Sequence, residues 1–196
     1  MNKLTLAAAT AAFSLASASA FAGSVTVSAY GNSSTGGPWG GAYAGALTAG
    51  EAFTVTVPTD ELWSAGALPR WSNADGLTQN LYATGSDASG QPAGTQIGQN
   101  FGLWTEDGLS APYGSLVGRI GGGAFFLVGT NYSGAASASG PLYLYYWDSN
   151  FSDNSGFVTA NSSAIPEPST WALMGLGFAV LAASALGARR KAPALA

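Results

Sequence analysis

The chain has 196 residues, only 8% of them charged, and it contains neither cysteine nor histidine. Disulfides, thiolate or imidazole metal sites and histidine-based hydrolytic triads are therefore excluded. Such a low charged fraction is typical of an exported β domain that is solvated by Ser, Thr, Asn and Gly.

The N-terminal end has the pattern of a signal peptide. Lys3 precedes an apolar stretch, and Ala20, Phe21 and Ala22 form a small-x-small cleavage site. We therefore predict a signal helix over residues 1–22, cleaved after Ala22. Residues 23–164 are enough for one domain with a single core.

The C-terminal end begins with the extended motif Pro166, Glu167 and Pro168. The stretch 171–188 then has 18 residues without a charge and is followed by three cations, 189–191. As a helix it would span roughly 27 Å, which is enough to cross a bilayer core. The cations favour a cytoplasmic end, so we predict a transmembrane helix over 171–188 with the preceding domain outside.

This order of motif, helix and basic end resembles the sorting signal of PEP-CTERM proteins, here over residues 165–196. The resemblance implies export in a Gram-negative bacterium that makes extracellular polysaccharide. It also implies processing by an exosortase-type membrane protease. The protein would be held transiently in the inner membrane and would then reach the cell surface or the extracellular matrix. The alternative is a plain membrane anchor.

The domain between the two export segments is acidic. Its cations are Arg70 and Arg119, against nine Asp and Glu residues, which gives a net charge of −7. Nucleic acid is excluded as a partner because the cations that would neutralise phosphates are missing. A hard cation remains a possible ligand.

Short apolar patterns predict an all-β fold. Residues 23–30 and 52–57 alternate between apolar and polar side chains, as half-buried strands do. The apolar runs 124–128 and 142–147 predict strands buried on both faces, and 157–160 predicts a final strand. We therefore expect a small antiparallel β-sandwich of the jelly-roll or lectin type between the signal helix and the transmembrane helix.

The connecting segments are rich in glycine and polar residues. Residues 31–45 predict turns, residues 82–99 a long exposed loop, and residues 114–123 a hairpin turn. Glu106 and Asp107 predict a solvated acidic turn, because neighbours on a strand point to opposite faces and cannot form a glycosidase pair. No other acid/base pair is visible, so we expect no enzyme.

The loop after the last long apolar run is rich in oxygen ligands. It contains Asp148, Asn150, Asp153 and Asn154. Carboxylate and amide oxygens are the ligands that calcium prefers, so the loop predicts a calcium site, with an ordinary polar turn as the alternative. A helix-loop-helix calcium motif is rejected because strands flank the loop and its glycine is absent.

A second resemblance covers the C-terminal third of the domain. The runs 114–121, 131–134, 142–148 and 153–156 resemble bacterial galactophilic lectins, which are β-sandwiches in which calcium bridges the protein and sugar hydroxyls. The histidine with which that family contacts the sugar is absent here.

The lectin resemblance implies an ion held by Asp148, Asp153 and Asn154, where Asp153 replaces an asparagine of the family. It also implies carbohydrate contacts from Asp148, Asp153 and the neighbouring Trp147. The predicted activity is non-catalytic, calcium-assisted binding of extracellular polysaccharide. The alternative is a structural matrix or surface-coat protein without a specific small ligand.

Overall fold

The computed structural model describes residues 21–165 and 173–181. The first range is mostly β-structure, and residues 173–181 form a short helix. Fourteen strands are present in the first range: β1 Ala22–Ser28, β2 Ala42–Leu47, β3 Ala52–Thr56, β4 Trp63–Ser64, β5 Trp71–Ser72, β6 Leu81–Tyr82, β7 Gln96–Gly98, β8 Leu103–Glu106, β9 Leu109–Pro112, β10 Leu116–Ile120, β11 Phe125–Leu127, β12 Asn131–Ala135, β13 Gly140–Tyr146 and β14 Ser155–Ile165.

The first sheet is built on β14, which has 11 residues. The order is β12-β3-β14-β4-β5, and β1 pairs with the other edge of β14. The β1 ladder runs from Ala22 opposite Ser163 to Ser28 opposite Phe157. The alternation predicted for residues 23–30 is confirmed, because Val27 is buried and Thr26 is exposed.

The second sheet has the order β11-β10-β13-β2 and is antiparallel throughout. Leu142, Leu144 and Tyr146 of β13 are fully buried. They form one hydrophobic cluster with side chains of the first sheet such as Phe53 and Val158. Two open sheets therefore share one core, which is the arrangement of a β-sandwich.

The structure corrects several sequence-based expectations. β2 lies partly within the region predicted to be turns, and β10 lies within the predicted hairpin turn, between turns at Gly114 and at the glycines after Ile120. Their glycine content hid the strand pattern. β11 is an edge strand with Leu127 45% exposed, so it is not buried on both faces. The predicted long loop is closed at its base by β6 and β7.

The two export segments lie largely outside the described residues, as does the motif Pro166, Glu167 and Pro168. The described part of the C-terminal segment is the helix 173–181. Among the residues that the structure describes, no helix is both long and apolar enough to cross a membrane. Most of the predicted signal helix is likewise outside the described range, but Ala22 already belongs to β1.

Candidate functional site

The oxygen-rich loop connects the end of β13 to the start of β14. Its own side chains hold its shape: Asn150 Oδ1 accepts hydrogen bonds from the Ser152 backbone N–H at 3.1 Å and from the Ser152 hydroxyl at 2.9 Å. The Asn150 side-chain amide donates to Asp153 Oδ1 at 3.0 Å. Local side-chain bonds of this kind order a turn without a regular ladder.

Asp148 is a buried carboxylate, with 5% of its surface exposed. Burial, with a smaller effect from the negative charge of Asp153, raises the pKa of Asp148 to about 6, although hydrogen bonds from the Ser149 and Asn150 backbone and the Asn154 side chain lower it. The Ser149 N–H donates to Asp148 Oδ1 at 2.7 Å. The hydrogen bonds to Asp148 therefore only partly offset the cost of burying its charged form.

Asn154 lies at the base of the loop and is 6% exposed. Its side-chain amide donates to the Ala29 carbonyl at 3.3 Å. Its Oδ1 is buried and has no hydrogen-bond donor among the residues that the structure describes. A buried oxygen without a donor lowers the stability of the fold. A bound ligand or an ordered water at this oxygen would remove that cost.

Asp153 is more exposed than Asp148, with 45% of its side chain exposed, and its Oδ2 is 3.8 Å from Arg70 Nη1. The carboxylate also approaches Gly66, where an added Cβ would be 2.3 Å from Oδ2. Glycine is needed at that position both for this approach and for its φ of 111°. The backbone of a separate loop therefore helps to position Asp153.

A cavity of about 210 Å³ brings the loop together with three other segments of the chain. Its lining residues combine carboxylate, amide, guanidinium and aromatic groups: Ala65, Arg70, Phe101, Tyr113, Asp148, Ser149, Asn150 and Asp153. The Arg70 guanidinium lies 4.6 Å from the centre of the Phe101 ring, and that ring packs edge to face against Tyr113. Such a mixture suits a ligand with hydroxyl groups and an apolar face.

Sequence reasoning did not identify Arg70, Phe101 or Tyr113. They come from connections far from the loop, and only the tertiary fold brings them to it. One signal was available for Arg70, because it is one of just two cations in the acidic domain.

Trp147 does not line the cavity, and the contact predicted between it and a sugar is wrong. Its side chain is fully buried, so no ring face is available for stacking. The indole N–H donates to the Trp104 carbonyl at 3.0 Å, and the ring packs against Phe125. The β8–β9 hairpin covers this side of the second sheet, which makes Trp147 a core residue.

The structure thus brings Asp148, Asn150 and Asp153 around one cavity, and it places Asn154 in contact with Asp148. Within the described residues there is no cluster of three or more Asp, Glu, His or Cys side chains that could hold a metal. Two carboxylates with amide oxygens fit a hard cation in the kind of donor, with water, backbone or ligand oxygens needed to complete the shell.

Comparisons with known proteins give two similarities. Residues 164–191 match the PEP-CTERM protein-sorting motif. Among solved structures, the chain is similar to one described as "EclA N-terminal domain; PllA-like lectin", with 19% identity and a TM-score of 0.43, over 74% of this chain and 95% of that one.

No curated protein matches the sequence. The predicted sorting signal is confirmed, and the expected likeness to a lectin is also found among solved structures. The chain therefore carries a PEP-CTERM protein-sorting motif, which makes it an exported, membrane-transiting protein processed by an exosortase.

Proposed function

We propose that the exported domain binds carbohydrate without catalysis, at a calcium-assisted site formed by the loop 148–154 and the adjoining cavity. The observation that carries the proposal is the state of two buried groups in that loop. The Asp148 carboxylate is desolvated, and the Asn154 Oδ1 has no donor among the described residues. Both groups are oxygens that a bound cation would satisfy.

Calcium accounts for these features better than a monovalent ion or a water alone. Calcium takes six to eight oxygen ligands, including carboxylates and amide carbonyls, and it accepts ligand hydroxyls and water in the same shell. Its charge would offset the repulsion between Asp148 and Asp153 that raises the pKa of Asp148. We assign Asp148, Asp153 and Asn154 to it, whereas Asn150, whose Oδ1 accepts two hydrogen bonds from Ser152, positions Asp153 through its side-chain amide.

A carbohydrate fits the remainder of the cavity. Arg70 can donate to sugar hydroxyls, and Phe101, which is 39% exposed, offers an apolar surface to the C–H face of a sugar ring. One cavity of this size binds a single residue or two, so affinity for a polymer would come from many copies acting together. The producer's own extracellular polysaccharide is the partner that we propose.

The position of the site in the fold suits a protein presented from a membrane. The loop precedes Ser155 at one end of β14, and the sorting motif follows Ile165 at the other end, about 35 Å away at the rise of an extended strand. Before processing, the cavity would thus face away from the inner membrane. After processing, we place the protein at the cell surface or in the extracellular matrix of a Gram-negative bacterium.

Retention in gels that contain the producer's polysaccharide tests the proposal. The processed protein should be retarded with calcium and released by a chelator. A variant with Asp148→Asn and Asp153→Asn should migrate freely, whereas Asp60→Asn, which removes an exposed acid outside the loop, should behave as the wild type. Equal retention of the wild type and the double variant would rule the site out.

A structural matrix or surface-coat role is the second candidate. It is favoured by large apolar side chains left on the surface, namely Trp39, Tyr43 and Phe157, which are 68%, 56% and 63% exposed. Self-association that is independent of calcium and polysaccharide would support this role. A calcium-stabilised monomer would argue against it.

A further inference from the structure

Phe21 is built into the β domain although it stands on the signal-peptide side of the predicted Ala22 cleavage site. Its carbonyl accepts a hydrogen bond from the Ala164 backbone N–H at 2.8 Å. Ala22 then pairs with Ser163 in the ladder between β1 and β14. The backbone of the sheet thus extends two residues beyond the start predicted at Gly23.

The Phe21 side chain also packs against the domain. The ring lies on Gly45 of β2, where an added Cβ would be 2.4 Å from a ring carbon. Gly45 has a φ of 131°, so the strand locally adopts a conformation that leaves space for the ring. The ring is partly buried against the main core.

Phe21 thereby lines a cavity of about 380 Å³ that adjoins the edge strands of the two sheets. The other walls are small or aromatic residues that include Val25, Tyr43 and Ala46. β1 and β2 are both edge strands, so nothing in either ladder closes this space. Without Phe21, an apolar opening would remain between the two sheets and the Ala164 N–H would lose its acceptor.

We propose that signal peptidase cuts after Ala20, so that Phe21 is the first residue of the exported protein. Ala18, Ser19 and Ala20 satisfy the small-x-small rule as well as Ala20, Phe21 and Ala22 do. The sequence rule therefore allows both bonds. The structure distinguishes them, because only the earlier cut leaves the ring on Gly45 and the complete ladder in the mature domain.

A cut after Ala20 would place the two processing junctions side by side. Phe21 is hydrogen-bonded to Ala164, and Ile165 directly precedes Pro166. The signal peptide and the C-terminal segment therefore leave the domain from adjacent strands at the same end. Both would meet the membrane on one side of the domain.

The full chain, expressed with its own signal peptide in an exporting host, gives the test. N-terminal sequencing and intact mass of the exported protein should show a start at Phe21. Ala22→Leu places a large residue in the later cleavage site only, so the exported protein should still start at Phe21. Ala18→Leu alters the earlier site and leaves the later one intact, so the start at Phe21 should be lost and any processed product should start at Gly23.

A major wild-type product that starts at Gly23, or a loss of processing in the Ala22→Leu protein, would overturn the proposal. Thermal unfolding gives a second readout. Phe21→Ala in the processed protein should lower the midpoint by roughly 4 °C or more, because the ring fills space in the fold. Ser24→Ala, at an exposed position of the same strand, is the matched control. An unchanged midpoint in the Phe21→Ala protein would also overturn the proposal.

Discussion

The two ends of β14 differ in how their buried polar groups are hydrogen-bonded. At the C-terminal end, β1 and β3 pair with both edges, and the buried Ser162 hydroxyl donates to the Ala44 carbonyl of the other sheet at 2.6 Å. At the N-terminal end, β14 follows a loop that holds the desolvated Asp148 and an unpaired buried oxygen of Asn154. The Ser162 hydroxyl thus has its partner within the protein, whereas the Asn154 oxygen has no donor among the described residues. We propose that a bound cation satisfies it.

The largest effect should come from the core that supports the loop end. Trp63 is fully buried, donates its indole N–H to the Gly114 carbonyl at 2.8 Å, and packs edge to face on Tyr146. We expect Trp63→Ala to lower the free energy of unfolding by about 3–5 kcal/mol. Denaturant titration measures this change. Trp39→Ala, at a position that is 68% exposed, is the control and should cost less than about 1 kcal/mol.

The pH dependence of stability should reveal the cost of Asp148. Its folded pKa of about 6 lies above the ordinary value of 3.8, so the folded state disfavours the charged form. Its contribution to stability is therefore fully present below about pH 4 and is lost as the pH rises through 6.

Asp148→Asn removes that charge. Without calcium, it should flatten this part of the profile and raise the free energy of unfolding at pH 7 by about 1–2 kcal/mol, allowing for partial solvent screening. Unfolding titrations between about pH 4 and 8 compare the two proteins. Parallel profiles for the variant and the wild type would contradict this account of Asp148.

Ser162→Ala tests the other end of β14. It removes the buried hydrogen bond between the two sheets and should cost about 1 kcal/mol. Ser163→Ala, on the opposite face of the strand, is the control. The response of the protein to calcium should be unchanged in both variants, and a loss of that response would show that the two ends are coupled.

The smallest change in stability is expected for Arg70→Ala. The ion pair with Asp153 is long and partly exposed, so its loss should cost less than about 1 kcal/mol. Polysaccharide retention should nevertheless fall several-fold, because Arg70 lines the cavity. Arg119→Ala is the matched control: it removes the other cation of the domain, which lies 3.9 Å from Asp107 and not at the cavity. Equal retention in both variants would remove Arg70 from the site.

Much of the fold follows from local patterns in the sequence. The alternation of residues 23–30 and 52–57 predicted β1 and β3, because one face of each strand packs on the core. β2 and β10 each contain a glycine, which weakens the periodic signal, and both are recognised as strands through their pairing with β13.

Part of the candidate site could likewise be predicted from the sequence, and part could not. The loop residues from Asp148 to Asn154 are contiguous, so their oxygen-rich chemistry is visible in the sequence. Arg70, Phe101 and Tyr113 reach the cavity through separate connections, and no local pattern indicates that they meet. The apolar run 142–147 predicted burial on both faces, but only the fold shows that the β8–β9 hairpin covers Trp147 on the outer face of the sheet.

We propose that the loop preceding β14 binds a cation. Thermal unfolding of the processed protein with millimolar calcium, and again after chelation, tests this claim. Calcium at 100 times its dissociation constant should stabilise the fold by about 2.7 kcal/mol and raise the midpoint by several degrees. The Asp148→Asn protein should show no such rise. An equal midpoint for the wild type with calcium and with chelator would contradict the claim and leave the loop a purely structural turn.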